Sequence, residues 1–200
     1  MVRIYLETGK KTTSEYVFVR TLLKQWGILD ENYEIECVNG KDSLHLMTNK
    51  MRETTLEGGR NVVIFDADSV QNGGGFNCRK AELKEMLREM EVAAELFLFP
   101  NNHDDGDVEV LMETLMQKEQ HERFFHCYGD YEICLGNDYQ APNLKGKLYT
   151  YISAQKDLSN RKRKSLGEGQ WLFEDKRFWN IDRETLNPLR EFIKTMFDQE

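Results

Sequence analysis

The chain lacks any paired cysteine spacing. Cys37, Cys78, Cys127 and Cys134 form no C-x-x-C pair, which argues against a zinc ribbon and a disulfide framework and leaves free thiols, expected to be mostly buried. It also lacks a long hydrophobic run: no segment approaches the ~18 apolar residues of a membrane span. No charged-then-apolar leader precedes the strand-like Val2-Arg3-Ile4-Tyr5-Leu6, so a soluble cytoplasmic protein without membrane contact is the expectation. Positive charge is in the minority, with 27 Lys and Arg against 35 Asp and Glu and a net charge of −8. That balance argues against a surface that coats nucleic acid broadly, but leaves room for a local basic groove or metal-mediated phosphate binding. Oligomeric state is not legible from these features.

What is present is a β-α rhythm. The 200 residues suffice for one well-buried domain with a small C-terminal elaboration. Val2–Leu6, Tyr33–Val38, the apolar stretch from Asn61 to Phe65, and Ala94–Phe99 read as strands. Between them, Tyr16, Val19, Leu22, Leu23 and Trp26 recur at helical spacing, as do Leu83, Met86, Leu87 and Met90, and then Val108, Leu111, Met112 and Leu115. A weaker helical segment runs from Asp42 to about Leu56. Four successive units of this kind specify an α/β fold with a largely parallel sheet flanked by helices.

The third strand carries the chemistry. Asn61-Val62-Val63-Ile64-Phe65 stops at Asp66-Ala67-Asp68, and in parallel sheets ligands bind just beyond the carboxyl ends of the strands. Two carboxylates at i and i+2 suit a hard divalent cation. They also suit a turn that caps the next helix, and spacing alone leaves both roles open. Gln71-Asn72-Gly73-Gly74-Gly75 lacks the Lys-Ser/Thr ending of a P-loop and reads as a mobile loop over the site. After the fourth strand, Asn101 and Met112 occupy positions where an EF-hand around Gly106 needs acids, so that motif fails. Asp107 suits a helix N-cap; Glu109, leaving the carboxyl end of a strand expected beside the Asp66 strand, suits a site role.

Taken in order, Leu6-Glu7-Thr8-Gly9 at the first strand, Phe65-Asp66-Ala67-Asp68 at the third and an Asn/Gly-rich loop entering an acidic helix start resemble the Toprim domain over roughly residues 1–118. The pattern departs from the family in that Thr8 intervenes before Gly9 and Ser14-Glu15 arrives four residues late. Pro100-Asn101-Asn102, Gly106-Asp107-Val108-Glu109 and Lys145-Gly146-Lys147-Leu148-Tyr149-Thr150-Tyr151 extend the resemblance to small stand-alone Toprim-like proteins. The resemblance implies a Toprim-like (Rossmann-like) core at 1–118, with residues 119–200 as a helical or irregular elaboration packed on it. Similarity to Toprim nucleases of the overcoming-lysogenization-defect type implies Mg²⁺ or Mn²⁺ held by Glu7, Asp66, Asp68 and Glu109. It further implies Lys145 or Lys147 as charge stabiliser, Glu7 as an alternative proton shuttle, and a nucleic-acid phosphodiester as substrate.

Two other functions fit parts of the pattern. Phe65-Asp66-Ala67-Asp68-Ser69-Val70 is similar to the nucleophile strand of haloacid-dehalogenase-like phosphatases, with Asp66 as nucleophile and Asp68 as acid/base. That motif normally opens its domain, whereas here two strands precede it. A non-catalytic Toprim-like subunit that holds a nucleotide or partner is the other. In the C-terminal third, Glu122–Asn137 and a segment opened by Asn187-Pro188 read as helices, the second facing Leu189, Phe192, Ile193 and Met196 inward. His121 and His126, five apart, miss the i, i+4 metal spacing. Arg161-Lys162-Arg163-Lys164 reads as a solvated basic loop or a phosphate contact.

Overall fold

The computed structural model describes residues 1–198. Four strands, β1 (Val2–Leu6), β2 (Tyr33–Cys37), β3 (Arg60–Asp66) and β4 (Glu95–Phe99), form one sheet in the order β2-β1-β3-β4, every pair parallel. The chain alternates strand and helix: α1 (Ser14–Gln25), α2 (Thr48–Leu56), α3 (Phe76–Glu89) and α4 (Val108–Leu115) each follow one strand. The weak helical segment after Asn39-Gly40 divides into a 3₁₀ stretch, Lys41–Met47, and α2.

Side-chain alternation explains why the sheet is covered on both faces. Ile4, Leu6, Val62, Ile64, Phe97 and Phe99 point to one side, against Phe18 and Leu22 of α1 and Leu111, Met112 and Leu115 of α4. Tyr5, Val63, Phe65 and Leu98 point to the other, against Met51 of α2 and Leu83 and Leu87 of α3. A strand buried on both faces reads as continuous apolar sequence. That is what β3 shows between Asn61 and Phe65.

The C-terminal half is helical, with α5 (Glu122–Leu135), α6 (Leu144–Ser153), α7 (Asn160–Leu166) and α8 (Asn187–Phe197). It joins the α1/α4 face through an aromatic nucleus of Tyr151, Trp171, Phe173, Phe178 and Trp179. Polar ring atoms find partners inside that nucleus, as buried Tyr and Trp require. Trp179 Nε1 donates to the Trp171 carbonyl at 2.8 Å and Tyr151 Oη to the Phe178 carbonyl at 3.1 Å.

Three expectations need correction. Cys78, Cys127 and Cys134 are exposed and Cys37 is half-buried, because all but Cys37 fall on outward positions of α3 and α5. The basic run at 161–164 is the helix α7, capped by Ser159 rather than a loop. Within it the Arg163 guanidinium donates to the Ser153 and Gln155 carbonyls at the end of α6. The glycine run is packed, with Gly75 N–H donating to the Ala67 carbonyl at 2.9 Å and Gly74 N–H to Ser69 at 3.0 Å. A Cβ on Gly74 would lie 2.5 Å from Asp68 Cβ. Glycine is there because the backbone passes directly over Asp68, a contact no other residue allows.

Candidate acidic site at the β1/β3 crevice

In a sheet ordered β2-β1-β3-β4, the chain leaves β1 towards one edge and returns to build the other. The crevice at the carboxyl ends of β1 and β3 is therefore the switch point where open α/β sheets bind ligands. Glu7 directly follows β1 and Asp66 ends β3. They meet there: Glu7 Oε2 accepts from the Asp66 backbone N–H at 3.2 Å. Asp66 Oδ1 accepts from the Val108 N–H at 2.9 Å, so the positive start of α4 abuts the same carboxylate. Asp107 caps α4 by accepting from Val110 N–H at 3.0 Å.

Glu15 and Glu109 complete the cluster from two helix starts. Thr13 caps α1 and places Glu15 in its first turn; Glu109 stands in the first turn of α4. Both are buried, at 8% and 7% exposure. Burial pushes the Glu15 carboxyl up to about 8, with Glu7 and Glu109 adding to the push and Lys145 opposing it. Burial likewise holds Asp66 well above the ordinary aspartate range, reinforced by Glu15, Glu109, Glu7 and Asp107. Glu7 is raised by burial, against the pull of the Asp66 N–H and Arg79. A cation in direct contact with the cluster is Lys145, whose Nζ donates to Glu109 Oε1 at 2.7 Å. Burial disfavours its charge, but Glu109, with Glu15 and Asp66 behind it, outweighs that and holds its pKa above the lysine norm.

The other residues singled out from sequence go elsewhere. Asp68 adopts a left-handed backbone, φ 58°, and its carboxylate pairs with Arg79, a guanidinium buried under α3 that also meets Glu82 at 3.1 Å. Its backbone forms a two-bond bridge with Gly106, at 2.8 and 2.9 Å, tying the Asp66–Asp68 turn to the loop that enters α4. Lys147 leaves the cluster: its Nζ donates to Glu113 Oε1 at 3.0 Å. Sequence reasoning missed Arg79, which lies in the first turn of α3 eleven residues beyond Asp68, and it undervalued Glu15. A Thr N-cap two residues before an acid was the signal for Glu15.

The donor set fits a hard divalent cation in its chemistry: Glu15 and Asp66 are raised by burial and by the carboxylates around them, and Glu15 Oε1 is buried with no hydrogen-bond partner. As the side chains stand, no group of three or more His, Cys, Asp or Glu among the described residues is close enough to hold a metal ion. Arg79 draws the Asp68 carboxylate aside.

The same cluster dictates a pH dependence. Folded Glu15 keeps its proton to about pH 8, whereas its ordinary value is 4.5. The folded state therefore binds more protons between those values, and stability falls as pH rises through that window. In chelator, thermal melts should lose about 1 kcal/mol of stability per pH unit between roughly pH 5 and 8, and Glu15→Gln should flatten the slope. Stability constant or rising across the window would refute the buried, protonated Glu15.

Comparison with known proteins adds no relative: no protein-family model, no curated protein and no solved structure matches the chain. Among the described residues no helix is long and apolar enough to cross a membrane.

Proposed function

We propose that this chain is a Toprim-like, metal-dependent phosphoryl-transfer protein, a nuclease acting on nucleic-acid phosphodiesters with Mg²⁺ or Mn²⁺. The observation that carries the reading is the enclosed carboxylate cluster of Glu7, Glu15, Asp66 and Glu109 at the β1/β3 crevice, with Lys145 at its edge. Such a cluster is costly as an end in itself, because burial and mutual repulsion both penalise ionisation. A site that takes up a divalent cation offsets that cost.

Glu7, Asp66 and Glu109, joined by Glu15, would hold the ion; Asp68 joins them only by leaving Arg79. When bound, the cation supplies positive charge for the oxygens of the phosphodiester. Glu7, whose pKa burial raises, would instead take up or release a proton at its carboxylate if it does not ligate the ion. Lys145 turns its ammonium from Glu109 to a developing oxyanion, and Lys147 on Glu113 anchors α6. The phosphatase alternative needs Asp68 as acid/base, and its carboxylate is paired with Arg79.

Calorimetric titration of Mg²⁺ and Mn²⁺ into wild type, Glu109→Gln and Lys145→Ala, with a cleavage assay alongside, tests the reading. Glu109→Gln should weaken metal affinity while its metal-free melting temperature holds or rises, because one repelling carboxylate is gone. Lys145→Ala should slow turnover without changing metal affinity. Unchanged affinity in Glu109→Gln removes it from the site, and cleavage that persists in chelator removes the metal.

A further inference from the structure

Beside the acidic crevice lies a groove of about 440 Å³, within the size range of small-ligand sites, whose walls include Lys10, Ser14, Asn143, Lys145, Tyr149 and Trp171. The crevice and the groove share a wall. Ser14 precedes Glu15, and Lys145 reaches from the groove to Glu109.

We propose that this groove seats one unpaired nucleotide of a nucleic-acid strand, with its phosphate at the Lys10/Lys145 end and its base against Tyr149. The inference rests on the phosphodiester reading above and deepens it by naming a single-stranded substrate.

Three independent features carry it. The N-caps of two helices, Thr13 of α1 and Asn143 of α6, both line the groove, each holding one first-turn N–H, so the positive ends of two helices border one opening. Ser14 in the same wall is 3% exposed and its Oγ has no hydrogen-bond partner, a donor left over for a ligand oxygen. Two lysines join these donors in a chain whose net charge is −8. All three favour an anion.

One turn along α6 from Lys145, the same groove favours an aromatic. Tyr149 is 41% exposed, while its ring meets the edge of buried Trp171, 6.5 Å between centroids. Trp171 is itself fixed through its Nε1 to the Leu166 carbonyl at 3.1 Å. A ring braced from behind and open in front is a stacking platform, and only a base released from its own stack can lie on it. The base therefore has to come from an unpaired strand.

Fluorescence anisotropy in chelator tests this without involving metal chemistry, using dye-labelled 12-mers of oligodeoxythymidylate and oligouridylate and a 12-base-pair blunt DNA duplex. Either 12-mer should bind the full chain about tenfold or more tighter than the duplex, and the difference between the two tells DNA from RNA. Tyr149→Ala should weaken 12-mer binding about fivefold or more, and Tyr149→Phe should restore it. Lys10→Ala should weaken it and lower the slope of log affinity against log salt by about one. Tyr149 and Lys10 are exposed, so their variants fold, which thermal melts verify. Equal binding of strand and duplex, or unchanged binding in Tyr149→Ala, overturns the groove assignment. Tight, Tyr149-dependent binding with no divalent-dependent cleavage upholds the groove and overturns the nuclease reading; divalent-dependent cleavage with Tyr149-independent binding does the reverse.

Discussion

Asp66→Asn is expected to lower divalent-dependent phosphodiester cleavage by ~10²–10³-fold or more, in a protein that melts no lower than wild type without metal. The two halves of that expectation have one cause. Asp66 is held well above the ordinary aspartate range by burial, reinforced by Glu15, Glu109 and Glu7. An amide of the same shape cannot ionise when metal arrives, so the function goes. It also repels nothing when metal is absent, so the fold stays. The Asn oxygen can still accept the Val108 N–H now bound by Asp66 Oδ1, keeping the entry to α4. Single-turnover cleavage and melts in chelator check both halves. Activity surviving the change, or a phosphoryl group trapped on Asp66 of the wild type, would sink the metal assignment, and the trapped adduct would favour the phosphatase chemistry instead.

Trp179→Ala is expected to cost ~3–5 kcal/mol, the range for deleting a large buried aromatic side chain. Trp179 is fully buried, packs on Phe173 at 5.0 Å and Tyr151 at 6.1 Å, and donates its Nε1 to Trp171. Its backbone bridges to Met116, just past α4. Losing it opens a cavity where the C-terminal half meets the sheet-covering helices, and leaves the Trp171 carbonyl without its donor. Denaturant unfolding measures the loss. A cost under about 1 kcal/mol would show that this nucleus is not what joins the two halves.

The sheet was legible in the sequence because its interior strands are buried on both faces: Val62–Phe65 is continuously apolar, and Val2–Leu6 is broken only by Arg3, which is itself buried. So was the crevice, since Glu7 and Asp66 sit where continuous apolar sequence ends. Asp68 shows the limit of that logic. Spacing of i, i+2 puts two carboxylates on one strand exit, but a left-handed turn at Asp68 and a guanidinium eleven residues on decide where the second one faces. Neither is visible as a local pattern. The irregular stretch holding Trp171, Phe173, Phe178 and Trp179 was opaque for a related reason: its burial comes from pairing with residues about 20 to 65 positions earlier, such as Tyr151 and Leu115, and carries no period of 2 or 3.6. Glu15 lay between these cases, announced by a cap but offset from the family spacing.

Gly169 has a bearing on how this protein can be taken apart. Its backbone rests on the Thr13–Ser14 peptide so closely that a Cβ there would stand 2.3 Å from the Thr13 carbonyl carbon. The segment after α7 is thus the roof over the start of α1, the turn that presents Ser14 and Glu15. A fragment cut near residue 118 would lose that roof and strip the face of the sheet carrying Ile4, Leu6, Ile64 and Phe97 of its C-terminal cover. Dissection by deletion would then report solubility in place of chemistry. For the same reason, a side chain introduced at Gly169 would push on the turn that presents Glu15 to the acidic crevice.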